Sequence, residues 1–450
     1  MGDRYPSAIK DASPLDQPLK FEFSGRTARN RFLKAAMTER LSSWDPVHLE
    51  KRGVPSKGLA EVYRRWGEGD FGVILTGNIM VDYKSLEAPG NPIIPPDAPF
   101  EGPRFEGFKA IATQAKAAHG NLILGQVSHP GRQVEERLES NPVSASDVQL
   151  VRSLTGMKFA KPHAASLEEI KDIVNRFTHA AEYLAKAGYD GIELHGAHGY
   201  LLAQFLSRTT NKRTDQYGGS LQNRARIILE IAQSIRQKLP GSSGFVLGIK
   251  VNSVEFQEDG FTPEEAKELC VLLEQAEFDF VELSGGTYQS LAFVHKREST
   301  RKREAFFIEF AEMIAPALKK TKSYITGGFK TVEGMVNALK SVDGVGLGRP
   351  ACQEFYLPKD MLAGKVSGAL HQKVDPDEFM LGNVIAGTQI RQVSKGEEPI
   401  DMSVQENVEA FLKEMGPWMQ KIGSGDLTNY GFIDFENIQA KPFGTSAAAA

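Results

Sequence analysis

Short apolar runs recur along the chain at 31–37, 71–76, 121–127, 190–195, 245–251, 278–284, 323–327 and 343–348. Each has the length of a strand and is too continuous to have one wet face, so each predicts a strand covered on both sides. Between these runs the apolar spacing changes to three and four. Leu59, Val62, Tyr63 and Trp66 repeat in this way, as do Phe177, Ala180, Ala181 and Leu184, and Ile228, Ile231, Ala232 and Ile235. Each set predicts a helix that is apolar on one face. Buried strands alternating with one-faced helices imply a parallel sheet, and a set of eight such units closes it. The expected fold is α/β, a (β/α)8 TIM barrel over residues 1–358.

Helix starts support these boundaries. Thr262-Pro263-Glu264-Glu265 joins an N-cap, a proline at the first helical position and a glutamate placed for a capping box; Ser166 and Glu169 form a second box. Ala266, Leu269, Cys270 and Leu273 share a face, so Cys270 is expected to fill core. Beyond the barrel, 359–443 reads as a C-terminal helical extension packing on the barrel or on a subunit partner. Its best helix carries Val404, Val408, Phe411, Leu412 and Met415 on one face. Ser403 and Glu406 are expected to open it, and Gly416-Pro417 to end or kink it. The tail 444–450 is expected to be disordered.

Composition narrows the partners. The 53 basic and 57 acidic residues leave −4, too weak a field to recruit nucleic acid or an anionic membrane. No apolar run approaches the ~20 residues of a membrane span, and the start lacks the apolar core of a secretory signal. The expectation is a cytoplasmic protein, monomer or homodimer, with a small-molecule partner. Cys270 and Cys352 alone exclude a disulfide framework and a four-cysteine metal or iron–sulfur site made within the chain.

Loop lengths point to one end of the barrel. Helix-to-strand links are short, such as Gly188-Tyr189 and Glu277, whereas strand-to-helix links are long at 128–165, 196–219 and 285–302. Active sites of such barrels gather where the second kind meet, at the carboxyl ends of the strands. Chemically unusual residues fall there in turn. Thr38 ends the first strand, Gly77 and Asn78 the second, Gln126 and His129 the third, and His195, His198 and Tyr200 the fourth. Lys250 lies in the fifth, Ser284-Gly285-Gly286 ends the sixth, Gly327-Gly328 the seventh, and Gly348-Arg349 the eighth. Any one alone is more often structural, but distant strand ends become neighbours only at the barrel mouth.

The glycines of the last two strands allow backbone N–H groups close to phosphate oxygens, and Arg349 adds a charged fork. The two histidines of Gly191-Ile-Glu-Leu-His195-Gly-Ala-His198-Gly-Tyr200 admit two readings. Zinc needs three or four protein ligands, with His129 the evident third candidate. Alternatively two imidazoles fix a carbonyl oxygen while Tyr200 supplies a phenolic proton.

Arg29-Asn-Arg-Phe-Leu-Lys-Ala-Ala-Met-Thr38, Gly125-Gln-Val-Ser-His-Pro-Gly-Arg132 and the His195 segment, with its continuation from Phe205 to Arg224, resemble the Old Yellow Enzyme family of flavin oxidoreductases. The resemblance runs from about Leu19 to Pro350. It implies FMN as cofactor, NAD(P)H as hydride donor and an electrophilic alkene as substrate. Thr38 would bond the flavin edge, Gln126 its pyrimidine ring, and Ala36, Met37 and Gly77 would line the isoalloxazine. Gly327, Gly328, Gly348 and Arg349 match the phosphate cradle. His195 and His198 match the pair that binds the substrate's electron-withdrawing oxygen, and Tyr200 the proton donor. Lys250 stands where the family pattern has arginine, keeping a charge but losing the planar fork. Gly77-Asn78 departs from the pattern too, as does Cys-Gln-Glu after Ala351. The basic loop 295–303 is either a solvated lid or a contact for a nicotinamide 2′-phosphate. Two other classes share features with this reading. A phosphate-binding lyase or aldolase would not need Gln126, His195, His198 and Tyr200 together, and a non-enzymatic flavin-binding protein would lack turnover.

Overall fold

Eight parallel strands close on themselves in the computed structural model, which describes residues 3–151, 157–252, 261–284, 311–375, 378–436 and 438–445. They are β1 (Phe32–Lys34), β2 (Val73–Met80), β3 (Leu122–Ser128), β4 (Gly191–Gly196), β5 (Val246–Asn252), β6 (Phe280–Ser284), β7 (Lys322–Thr326) and β8 (Gly344–Leu347). Neighbours pair in chain order, and β8 returns to β1 through Val345 opposite Phe32. Every residue of β2 through β6 is buried, the physical reason for their unbroken apolar character. The (β/α)8 barrel expected from the pattern is the fold found.

The wrapping helices are α1 (Lys57–Glu68), α2 (Gly102–Lys116), α3 (Leu167–Lys186), the short α4 (Leu201–Leu206), α5 (Leu221–Lys238), α6 (Pro263–Gln275) and α7 (Val332–Ala338). The apolar faces of α1, α3 and α5 are buried as their spacing demands. Ser166 and Glu169 form both halves of a capping box. Thr262 accepts the Glu265 N–H at 3.2 Å, but the Glu265 carboxylate turns away to the buried Arg224 at 2.5 Å. A charge-assisted bond in the interior outcompetes a bond to one terminal N–H. Cys270 is fully buried and its thiol is pushed up to about 12 by that burial, as core filling requires.

Past the barrel come α8 (Pro350–Gln353), α9 (Leu357–Leu362), α10 (Phe379–Ser394) and α11 (Gln405–Gly423). α10 lies so close to α1 that a Cβ on Gly58 would meet the Ser394 carbonyl at 2.9 Å. A satellite core joins α10 and α11 through Val384, Ile385, Val408, Phe411 and Phe432. Here the pattern misleads in detail. Ser403 donates to Asp401 at 2.7 Å instead of capping α11, and Leu412 stays exposed. Nor does the helix end at Gly416-Pro417; it runs to Gly423, with the Trp418 indole N–H donating to the Gly431 carbonyl at 3.2 Å. Proline removes one bond of the helical ladder, and the docked tryptophan holds the next turn in place. Gly285-Gly286, the loop 295–303 and residues 446–450 of the expected tail lie outside the described residues. Among the described residues no helix is long and apolar enough to cross a membrane.

Candidate active site

A cavity of about 410 Å³ opens at the carboxyl ends of the strands. Ala36, Met37 and Thr38 line it from beyond β1, Gln126 from β3, and His195 from β4 with His198 and Tyr200 beyond it. Lys250 enters from β5, Gly327 and Gly328 from beyond β7, and Gly348 and Arg349 from beyond β8. Since β4 and β8 are four strands apart in a ring of eight, the histidines face the glycine–arginine wall across the mouth.

Gly77 is the expected residue that does not line this cavity. Its N–H donates to Glu39 at 2.9 Å and to the Tyr63 hydroxyl at 3.1 Å, and a Cβ would meet Glu39 Oε2 at 2.1 Å. The reason is a register shift in β2: Leu75 pairs with Leu124, yet Asn78 pairs with Gln126, so two residues of β2 oppose Gly125 alone. A bulge of this kind re-aims the side chains beyond it. It seats Asn78 in the cavity and leaves Gly77 behind the wall.

Asn78 organises the histidines. Its Nδ2 donates to Glu87 at 2.9 Å, which leaves Oδ1 as an acceptor 2.7 Å from His195 Nδ1. His195 Nδ1 therefore carries the proton and, in a neutral ring, Nε2 does not. His198 Nδ1 lies 3.0 Å from that Nε2 and must donate to it, so His198 Nε2 accepts from the Ser284 hydroxyl at 2.9 Å. Both rings are neutral. Burial, then His198 and Lys250, depress His195 well below the ordinary range, and burial with Lys250 brings His198 down to about 3. His198 sits at φ 58°, a left-handed conformation uncommon outside glycine, and Asn252 Oδ1 accepts its N–H at 3.1 Å. The buried Tyr200 precedes α4, its ring centre 4.5 Å from that of His195. His129 takes no part: Nδ1 accepts from the Gly131 N–H at 3.0 Å, and no metal-holding group of three His, Cys, Asp or Glu occurs among the described residues.

The barrel floor holds a charge cluster. Gln126 Nε2 donates to Glu193 at 2.6 Å, and Lys250 Nζ pairs with Glu282 at 3.0 Å. Burial and then Glu282 raise Glu193 well above the carboxylate range, so it is protonated. Burial opposes the Lys250 charge, but the Glu282 carboxylate beside it overcomes burial and holds the ammonium. The cation expected at this position is thus present, and shared with Glu282.

Sequence reasoning missed other parts of the wall. Glu87 accepts from the Thr38 hydroxyl at 2.9 and 2.8 Å as well as from Asn78. Phe379, Met380, Asn383, Trp418 and Phe432 reach the cavity from the extension. Glu87 falls in a loop without a motif, and none of these extension residues lies on the helix face that the spacing marked, Val404 to Met415.

The residues present suit a flat, phosphate-bearing cofactor. Gly327 and Gly328 hold φ of 152° and 80°, open to a close backbone approach, and Arg349 lines the same cavity. Gln126 presents an amide and Lys250 a charge at the floor between that cradle and the histidines.

The comparisons agree with this geometry. The profile of the NADH:flavin oxidoreductase / NADH oxidase family matches residues 14–348. The NADH-dependent flavin oxidoreductase nadA of Aspergillus parasiticus is 51% identical over 413 residues, 91% of this chain and 92% of that one. The NADH-dependent flavin oxidoreductase iccE of Talaromyces variabilis is 33% identical over 360 residues, 75% and 84% of the two chains. An Old Yellow Enzyme homologue from Zymomonas mobilis superposes with a TM-score of 0.64 at 23% identity, covering 79% of this chain and 94% of that one. Morphinone reductase in complex with tetrahydroNAD gives 0.63 at 22%, covering 82% and 96%. The chain belongs to the NADH:flavin oxidoreductase / NADH oxidase family, on the Old Yellow Enzyme barrel.

Proposed function

We propose that the protein binds FMN, oxidises NADH and reduces the carbon–carbon double bond of α,β-unsaturated carbonyl compounds. The observation that carries this reading is the meeting of His195, His198 and Tyr200 in one cavity opposite a glycine–arginine cradle. Gly327, Gly328, Gly348 and Arg349 would hold the phosphate; Gln126, Lys250, Thr38, Ala36 and Met37 would hold the ring system. When bound, FMN accepts hydride from the nicotinamide and gives hydride to the alkene.

The chain's own residues bind and protonate. A carbonyl oxygen entering between the imidazoles takes the His198 Nδ1–H that now goes to His195. Negative charge growing on that oxygen is stabilised by this preorganised N–H. Tyr200, beside His195, places its phenolic proton for the α-carbon. Leu201, Leu202 and Phe205 pack α4 behind Tyr200 and fix its entry into the cavity.

Tyr200→Phe tests the assignment, because it keeps ring and packing and removes the proton. The ratio of NADH oxidation supported by cyclohex-2-en-1-one to that supported by a quinone, which needs no carbon protonation, should fall by about 10²-fold. An unchanged ratio removes Tyr200 as the donor, and a protein that takes up no flavin removes the whole reading.

A further inference from the structure

Arg40, a cation of the cavity wall, forms no ion pair with any described residue. Arg40, two residues beyond Thr38, lines the same cavity as His195, His198 and Tyr200. Its guanidinium carbon lies 4.6 Å from the centre of the Phe432 ring, and its Nε is buried without a hydrogen-bond partner. No described carboxylate lies within ion-pair distance. Nearby acids are committed elsewhere: in the wall, Glu87 to Thr38, Asn78 and Asn91 and Glu354 to Arg4, and behind it Glu39 to Tyr63 and Gly77. Arg132, Arg137, Arg236 and Arg391 also bury Nε without a hydrogen bond, but each donates through another guanidinium nitrogen to its own chain, and Arg52 and Arg224 each make three such bonds. Arg40 differs, and its backbone at φ 55° holds it in the wall.

We infer that Arg40 binds an anionic group of the oxidising substrate, so that the preferred alkenes are acidic: unsaturated carbonyl compounds with a carboxylate or ionised phenol on a flat apolar body. This rests on the reading of the cavity as an alkene site. A half-buried guanidinium backed by an aromatic face keeps its outer edge free for a carboxylate, and desolvation strengthens that pairing. The remaining electrostatics agree. Both histidines are neutral, and Lys250 is balanced by Glu282, so neither supplies a free charge for a substrate anion. Trp418 and Phe432 wall this part of the cavity. They favour a ring bearing one charge over the strongly hydrated pyrophosphate of a dinucleotide, which apolar walls would strip of water.

The test compares 3-oxocyclohex-1-ene-1-carboxylate with neutral cyclohex-2-en-1-one on the FMN-loaded protein, wild type and Arg40→Gln. The acid-to-neutral ratio of kcat/KM should fall by about tenfold or more in R40Q, the worth of one charge-assisted contact, and return in part in Arg40→Lys. An unmoved ratio overturns the inference, as does a rise in KM confined to NADH, which would give Arg40 to the dinucleotide. If wild type reduces neither compound, the alkene reading fails while Arg40 remains testable by calorimetry. Tighter binding of the carboxylate to wild type than to R40Q supports the anion site, and equal binding overturns it.

Discussion

Asn78 decides which protons the histidines carry. Its amide is oriented by Glu87, so its oxygen can only accept, and His195 is held as the Nδ1–H tautomer. Removing that acceptor in Asn78→Ala should let His195 exchange tautomers and lose its aim. Enone kcat/KM should then fall by about tenfold, the worth of one neutral hydrogen bond, and ¹⁵N shifts of the ring should move from a single Nδ1–H form to a mixture. A retained single tautomer would show that Asn78 is not its cause. The same position marks the limit of what the sequence discloses. His195, His198, Tyr200 and Gln126 were legible because each ends or follows a strand whose apolar run fixes its place. Gly77 and Asn78 were visible as a pair at the end of β2, but which of them faces the cavity depends on one extra residue opposite Gly125. Neither propensity nor spacing encodes such a bulge. Glu87 and Arg40 were invisible for a related reason: a lone charge in a loop reads as solvated until the fold shows what surrounds it.

Among the elements, strands buried on both faces were read best, since nothing but a covered strand explains an unbroken apolar run. Helix α11 was read worst, because a proline inside a docked helix is overruled by contacts that local sequence does not contain. The extension also proves to be part of the cavity wall, and α10 shows how. Gly382 lies in its first turns, and a Cβ there would meet Arg349 Nη1 at 2.4 Å. Gly382→Ala should therefore do two opposed things. Alanine raises helix propensity by up to about 1 kcal/mol. It also displaces the guanidinium from the cradle, so bound flavin should be lost faster on dialysis, followed by absorbance, while the melting temperature of the flavin-free protein does not fall. Full flavin retention with Arg349 moved would take the arginine out of the phosphate site.

Across the whole molecule the barrel interior is charged and yet nearly balanced, and that sets how the protein responds to acid. His129, His195 and His198 are all neutral in the fold, chiefly through burial, with His129 brought down to about 4. Below their ordinary value of 6.5 the unfolded chain takes up a proton at each, whereas the fold does not until far lower pH. The unfolded state then binds more protons, so stability is full above that value and is lost as pH falls. Glu193 and Glu39 act in the opposite sense, since burial raises both and the fold keeps them protonated where the unfolded chain releases the proton above 4.5. The two effects overlap between 4.5 and 6.5, so a melting curve of the wild type alone would mix them. A difference separates them. His129 is buried away from the cavity residues and accepts only the Gly131 N–H, a bond that asparagine can replace without titrating. The stability advantage of wild type over His129→Asn should be constant above pH 6.5 and shrink as pH falls toward about 4. The slope should approach 1.36 kcal/mol per pH unit, about 3 kcal/mol across the window. Chemical denaturation of both proteins at several pH values measures it. A difference that grows in acid would mean that His129 is protonated in the fold, with Asp82 rather than burial controlling its charge.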